Sequence, residues 1–196
     1  MILNHLWGIY AHPKEEWRCI ESRHESLKFS LSHILLITLI PAVMSYVSAT
    51  QLGWSIGVGD RIYMSHAEAL IMAVSIYLVL IGGIFAMMYM VHYMAKDYDS
   101  DPDYTQSLEL AAYTATPLFM SGLAAFYPEL WFFSVIAMMA LGYSIYLLYV
   151  GTPIIMKIPE ERGFFYASSV ATAGLILLVA SMIGAVILWG WAFSPV

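Results

Sequence analysis

Five stretches of the chain, residues 30–50, 67–94, 108–126, 130–153 and 165–191, are almost wholly apolar, and the polar residues gather between them. A hydrocarbon core about 30 Å thick takes about 20 helical residues at ~1.5 Å each. Each stretch is long enough to cross it, and the second and fifth exceed it, which predicts tilt or extension into the interface. Barrel strands would be about 10 residues long and would alternate apolar with polar; no such alternation is present. Helices are expected for a chemical reason. An unpaired backbone N–H or C=O in hydrocarbon costs several kcal/mol, and a helix satisfies both within itself. The pattern therefore predicts one all-α domain over residues 1–196, a polytopic membrane protein with five transmembrane helices.

Before the first stretch the pattern changes. Leu3, Leu6, Trp7 and Tyr10 recur at helical spacing, and Pro13 opens a second helix with Glu15 and Glu16 in its first turn and Trp17, Ile20 and Leu27 along one side. Residues 1–28 are expected to form helices on the cytoplasmic side, either lying in the interface with the tryptophans in lipid and Lys14, Arg18, Arg23 and Lys28 toward headgroups, or packed on the bundle as a cytosolic cap. Both charge signs occur there, unlike a signal peptide. Pro41 and Pro117 fall inside spans and free carbonyls one turn earlier, so both helices are expected to kink, with Thr114 and Thr116 placed to bond the freed backbone. Ala167/Ala171, Ser169/Ala173 and Ala180/Gly184 give small-xxx-small spacing on the last helix, suited to close packing within the chain or to a dimer face. Gly151 and Pro153 are expected to close the fourth span.

Composition agrees with lipid as the solvent. Apolar residues make up 61% and charged ones 11%, against roughly 45–50% and about 25% in soluble domains. The net charge of −6 comes from acidic groups expected in loops. The single cysteine, Cys19, leaves no internal disulfide and no cysteine-based metal site. With the N-terminus in the cytoplasm, seven of the 8 basic residues lie inside and only Arg61 outside, the orientation that the positive-inside rule selects. The C-terminus is then periplasmic. Trp54, Trp131, Trp189 and Trp191 fall near the outer boundary, at the level indoles prefer.

Candidate chemistry centres on Asp97, Asp99, Asp101 and Asp103, which lead into the third span. The spacing resembles the start of a calcium loop, but Pro102 stands where that loop wants glycine and Leu108 where it wants a carboxylate. A solvated acidic turn is the simpler reading, with Glu109 helping to start the span. His92, Glu109 and Tyr113 are candidates to converge with the aspartates in a cytoplasmic pocket, since Glu109 and Tyr113 share a helical face. Tyr113, Tyr143, Tyr146 and Tyr149 are expected inside the bundle. No carboxylate or lysine reaches the midplane, where coupled carriers usually keep their sites. No catalytic, phosphate-binding or metal-ligand motif is present. Neither enzyme, cofactor, metal nor nucleic acid is expected; the expected partners are the lipid bilayer, a second copy or other membrane proteins.

Leu110-Ala111-Ala112-Tyr113-Thr114-Ala115-Thr116-Pro117, followed by Gly142-Tyr143-Ser144-Ile145-Tyr146-Leu147-Leu148-Tyr149-Val150-Gly151-Thr152-Pro153, resembles the conserved half of the Yip-domain family. These are five-span proteins named for interaction with Ypt/Rab GTPases, and the nearer likeness is to the bacterial branch. The resemblance implies a helical bundle with its N-terminus in the cytosol, here in a bacterial inner membrane. In eukaryotic relatives it implies work in vesicle traffic and membrane shape. The chain lacks their Asp-Leu-Tyr-Gly-Pro motif and long N-terminal domain, which weakens the case for Rab binding. Two functions are then expected to compete: a non-enzymatic membrane-organising or partner-binding scaffold, or a small-molecule or divalent-ion transporter entered through the acidic turn.

Overall fold

A computed structural model describes residues 8–23, 27–55 and 59–192, with side chains of the last helix to Gly184 and at Ile187. The expectations for Leu3, Leu6, Trp7, the indoles of Trp189 and Trp191 and the last four residues lie outside what is described. The described chain is helical. Helix α1 is Pro13–Arg23, α2 Leu27–Val47 with a π-helical continuation Ser48–Leu52, and α3 His66–Met94 with a 3-10 turn Ala95–Tyr98. Helix α4 is Tyr104–Met120 with a 3-10 tail Ser121–Phe126, α5 is Leu130–Ile155 and α6 is Glu160–Ala192.

The ends follow local chemistry. Ser65 caps α3 in a box with Glu68, and Asp103 caps α4 in a box with Gln106. Proline at the first position of α1 costs nothing, because that N–H would have no partner. Helix α5 does not close at Gly151 or Pro153; it runs on to Ile155. Pro153 lies in its last turn, where one more lost backbone bond matters little, and the chain reverses only at Lys157, with φ 53°.

Four helical segments are long and apolar enough to cross a membrane: Leu27–Leu52, His66–Tyr98, Leu130–Ile155 and Glu160–Gly184. The chain is a polytopic membrane protein. Helix α4 is the exception in composition and also in position. Every residue from Ser107 to Thr114 is buried, on all sides of the helix, by α2, α3 and α5 packed around it. It still runs the length of the bundle. At its start Tyr104 stacks on His92 of α3 with ring centroids 4.1 Å apart. Beyond its other end Leu130 N–H donates to Ser55 O at 3.3 Å, in the connection that follows α2. A helix lined by protein need not be apolar, which is why its hydropathy falls short.

Of the two arrangements expected for the N-terminal segment, the structure shows the packed cap. Trp17 and Ile20 are fully buried, and α1 packs on α5, so Trp17 seals against protein and not lipid. A Cβ on Gly151 would lie 2.5 Å from its indole, which shows how closely α1 sits. Tyr143 Oη donates to Ile9 O at 3.0 Å, and Tyr10 stacks on Tyr143 at 5.5 Å. Lys157 pairs with Glu21 at 2.8 Å, an exposed contact worth at most about 1 kcal/mol. Burying the indole, at about 1.5–3 kcal/mol or more for a large side chain, holds α1 in place.

Gly122 meets Pro41 backbone to backbone: a Cβ there would lie 2.8 Å from Pro41 Cα. Neither partner is a flexible side chain, so neither can yield cheaply. Gly122→Ala is expected to destabilise the bundle by about 1–3 kcal/mol, seen as a lower unfolding midpoint in mild detergent. Gly184→Ala, where a Cβ meets nothing within 4 Å, is expected to keep the midpoint or raise it, since alanine favours the helix over glycine. Equal midpoints for the two variants would contradict the packing described.

Candidate functional site

One group of buried polar residues lies on α2 and α4, which pack together. Ser30, His33 and Thr38 lie on the inward face of α2, and Glu109, Tyr113 and Thr116 on α4. His33 and Tyr113 are both fully buried, with ring centroids 4.6 Å apart, and His33 Nε2 lies 3.1 Å from Thr116 Oγ1. Trp17 of α1 closes the group edge-on to Tyr113 at 6.2 Å. Glu109 sits one turn before Tyr113 on the same face, 3% exposed. None of His33, Glu109 and Tyr113 is without an interaction partner. Glu109 is thus neither in a loop nor at the start of its helix: Asp103 holds the cap, and Glu109 belongs to the core. Burying a carboxyl costs several kcal/mol unless polar groups surround it. Helix α4 can carry it because protein, not lipid, surrounds this stretch.

The aspartates do not join this group. Asp97 and Asp101 are exposed, Asp99 pairs with Arg162 at the start of α6, and Asp103 accepts from Gln106 N–H at 2.7 Å. Asp99 also takes a left-handed conformation, φ 56°, which the short polar side chain tolerates in a tight turn. Ser100 Oγ donates to Met156 O at 2.9 Å, tying the acidic turn to the end of α5. His92 faces Tyr104 and not Glu109. Among the described residues no group of three His, Cys, Asp or Glu side chains is placed to hold a metal ion.

The tyrosines divide. Tyr113 is sealed, Tyr143 is half-buried and ties down the N-terminal segment, and Tyr149 Oη bonds Ser168 Oγ at 2.8 Å across α5 and α6. Tyr146 is 46% exposed and touches the ring of Tyr143 from outside; it lies at the lipid-facing edge of the face that Tyr143 occupies and not in the interior. Tyr98 and Tyr166, unmarked by the sequence, stack at 4.9 Å and bond Ser169 Oγ and Val91 O respectively. Thr116 does bond back along α4, but to Ala112 O, and Thr114 makes no hydrogen bond among the described residues. Desolvation, with Tyr143 second, raises the Tyr10 phenol to about 12, so it stays neutral.

These features define an integral membrane protein whose polar residues lock helices to each other. The chain matches the Yip1 domain family over residues 7–193 and belongs to that family. It is 34% identical to Inner membrane protein YohC of Escherichia coli strain K12 over 192 residues, 97% of this chain and 98% of that protein. The match to Inner membrane protein YohC of Escherichia coli O6:H1 is the same in identity and extent. No solved structure matches the chain.

His33, Ser30 and Trp17 were missing from the sequence-based pocket. The signal was present: Ser30 and His33 stand three apart, and a polar pair at that spacing inside an apolar span marks a helix contact face. Replacing Gly151 by Leu is expected to force the Trp17 indole out and free α1. The native Cys19, two residues from Trp17 and half-buried, reports this directly: maleimide labelling in Gly151→Leu should be several-fold faster than in the parent. Unchanged labelling in a folded variant would contradict the docking of α1.

Proposed function

We propose that this protein is a non-enzymatic, membrane-organising scaffold of the bacterial inner membrane, crossing it five times with its N-terminus in the cytoplasm and its C-terminus in the periplasm. The observation that carries the reading is how the interior polar groups are used. His33 and Thr116, Tyr98 and Ser169, Tyr149 and Ser168, and Tyr166 and the Val91 carbonyl each join two helices. Such bonds hold helix interfaces rigid, as a scaffold requires. A carrier with an acidic entrance has less support, because Asp99 and Asp103 are engaged in the turn and the cap, away from Glu109. The fifth crossing is supported by α4 running the bundle's full length. The inward N-terminus is supported by Glu21–Lys157 and Asp99–Arg162, which gather basic residues at one end while Arg61 lies at the other. The relatives named inner membrane proteins support the compartment.

Two measurements test this reading. Cys19 should react with a membrane-impermeant maleimide in inside-out vesicles and not in intact spheroplasts; the reverse would overturn the orientation. Self-association should appear in bilayers as subunit energy transfer that falls with dilution in lipid. Gly184→Leu, on the face of α6 where Ala180 is exposed and Gly184 has open space, should weaken it about tenfold, about 1.4 kcal/mol. A chain that stays monomeric at every dilution and crosslinks to no membrane neighbour would sink the scaffold.

A further inference from the structure

Tyrosines cross between α2 and α3 at two levels. At the start of α3, Tyr46 Oη lies 3.0 Å from His66 Nδ1; further along, Tyr77 Oη reaches Leu35 O at 3.4 Å. Leu35 and Tyr46 on one helix, and His66 and Tyr77 on the other, are each eleven residues apart, about 16 Å at ~1.5 Å per residue. Half of a hydrocarbon core about 30 Å thick is about 15 Å. The two bridges therefore stand one leaflet apart.

Between them the outer side of the pair is hollowed into a groove of about 330 Å³. Ala42 and Ala73, 5% and 8% exposed, form its floor, and the exposed side chains of Leu39, Val43, Leu70 and Val74 rise along it. The hollow exists because alanine stops short where the flanking positions carry leucine and valine. No Lys, Arg, His, Asp or Glu is among its described lining residues. Charge appears at one end only. Beside the Tyr46–His66 bridge the Glu68 carboxylate folds back to accept Ser65 N–H at 3.0 Å. Asp60 and Arg61, both exposed, lie in the loop that leads into α3, where Arg61 Nη1 donates to Leu52 O at 2.7 Å. The far end offers only the Tyr77 phenol and a backbone carbonyl.

We infer that this groove holds one acyl chain of a zwitterionic phospholipid from the leaflet in which α3 begins, with the headgroup phosphate toward Arg61 and His66 and the ammonium toward Glu68 and Asp60. Length selects the chain, since the apolar trough is one leaflet deep. Asymmetry selects a lipid over a second transmembrane helix. A helix needs a contact face that continues past mid-depth, and Tyr77 closes the groove there; a phospholipid has hydrocarbon on one side and charge at one end. Charge selects the headgroup. The rim carries both signs, so a phosphate alone would meet two carboxylates of its own sign, whereas a zwitterion answers both. The inference rests on the chain lying in a membrane and not on the scaffold reading.

The test uses the full chain, purified in detergent and stripped of lipid, titrated with dioleoylphosphatidylethanolamine and with dioleoylphosphatidylglycerol. The zwitterionic lipid should raise the unfolding midpoint saturably, survive in native mass spectra as one molecule per chain, and bind about fivefold more tightly than the anionic one. Val74→Trp, which lays a ring across the trough from an exposed position, should weaken it about tenfold; Leu70→Trp gives the same reading should that variant fold poorly. Asp60→Asn combined with Glu68→Gln should erase the preference between the two lipids, and Arg61→Gln should weaken both. Absence of saturable binding, equal affinity of the parent chain for the two lipids, or full binding by the tryptophan variants would each overturn the assignment. So would loss of subunit energy transfer in Val74→Trp with lipid binding intact, which would give the groove to a second copy.

Discussion

The bundle depends on one helix being kept away from lipid. In water a polar helix core would be opposed by the hydrophobic effect; in a bilayer there is no such drive between helices, and association rests on packing and on hydrogen bonds that lipid cannot supply. Helix α4 supplies both. It carries Glu109, Thr114 and Thr116 through the centre, and α2, α3 and α5 cover it. Exposed to acyl chains, the same residues would carry the cost of uncompensated polar groups. The order of the helices around α4 therefore follows from what α4 contains.

A second constraint acts at the end where α1 docks. Trp17 fits only because residue 151 has no side chain, and the indole then covers Tyr113, which in turn packs on His33. The N-terminal segment is thus part of the bundle's polar core and not a separate membrane anchor. Disturbing Gly151 should be felt at His33 although the two do not touch, because both lean on the same pair of aromatic rings.

Much of this fold was legible from residue pattern, and the failures share a cause. Four of the predicted spans follow hydropathy, because α2, α3, α5 and α6 each present a face to lipid and must be apolar there. The stretch 108–126 was legible as a long helix, but Glu109 was misplaced to a helix start because one-dimensional reasoning assigns a carboxylate to water. Only the three-dimensional arrangement shows that protein encloses it. Trp17 could only be left open between two coverings: amphipathic spacing shows that one face is apolar, but not whether lipid or another helix covers it. The family likeness rested on residues 110–117 and 142–153, and the structure gives them physical roles. Tyr113 and Thr116 build the polar contact, Tyr143 fastens the N-terminal segment, and Gly151 receives Trp17. Tyr146, in the same run, does none of these.

The glycines separate what holds the fold from what remains open for encounter. Gly122 against Pro41, Gly151 against Trp17, Gly163 against Pro153 and Gly174 against Met87 each admit a neighbour closer than a Cβ would comfortably allow. All four mark places where two segments approach most tightly. Gly82, Gly83, Gly142 and Gly184 have nothing against them, although glycine in a helix interior costs about 1 kcal/mol relative to alanine. Internal packing does not account for that cost. On α3 the two adjacent glycines line the space between α3, α4, α5 and α6; on α6 Gly184 follows the exposed Ala180 by one turn. Small residues that no part of the same chain fills are the surface along which a second helix can come closest, and here they lie on α3, α5 and α6, the three spans least covered by the rest of the bundle.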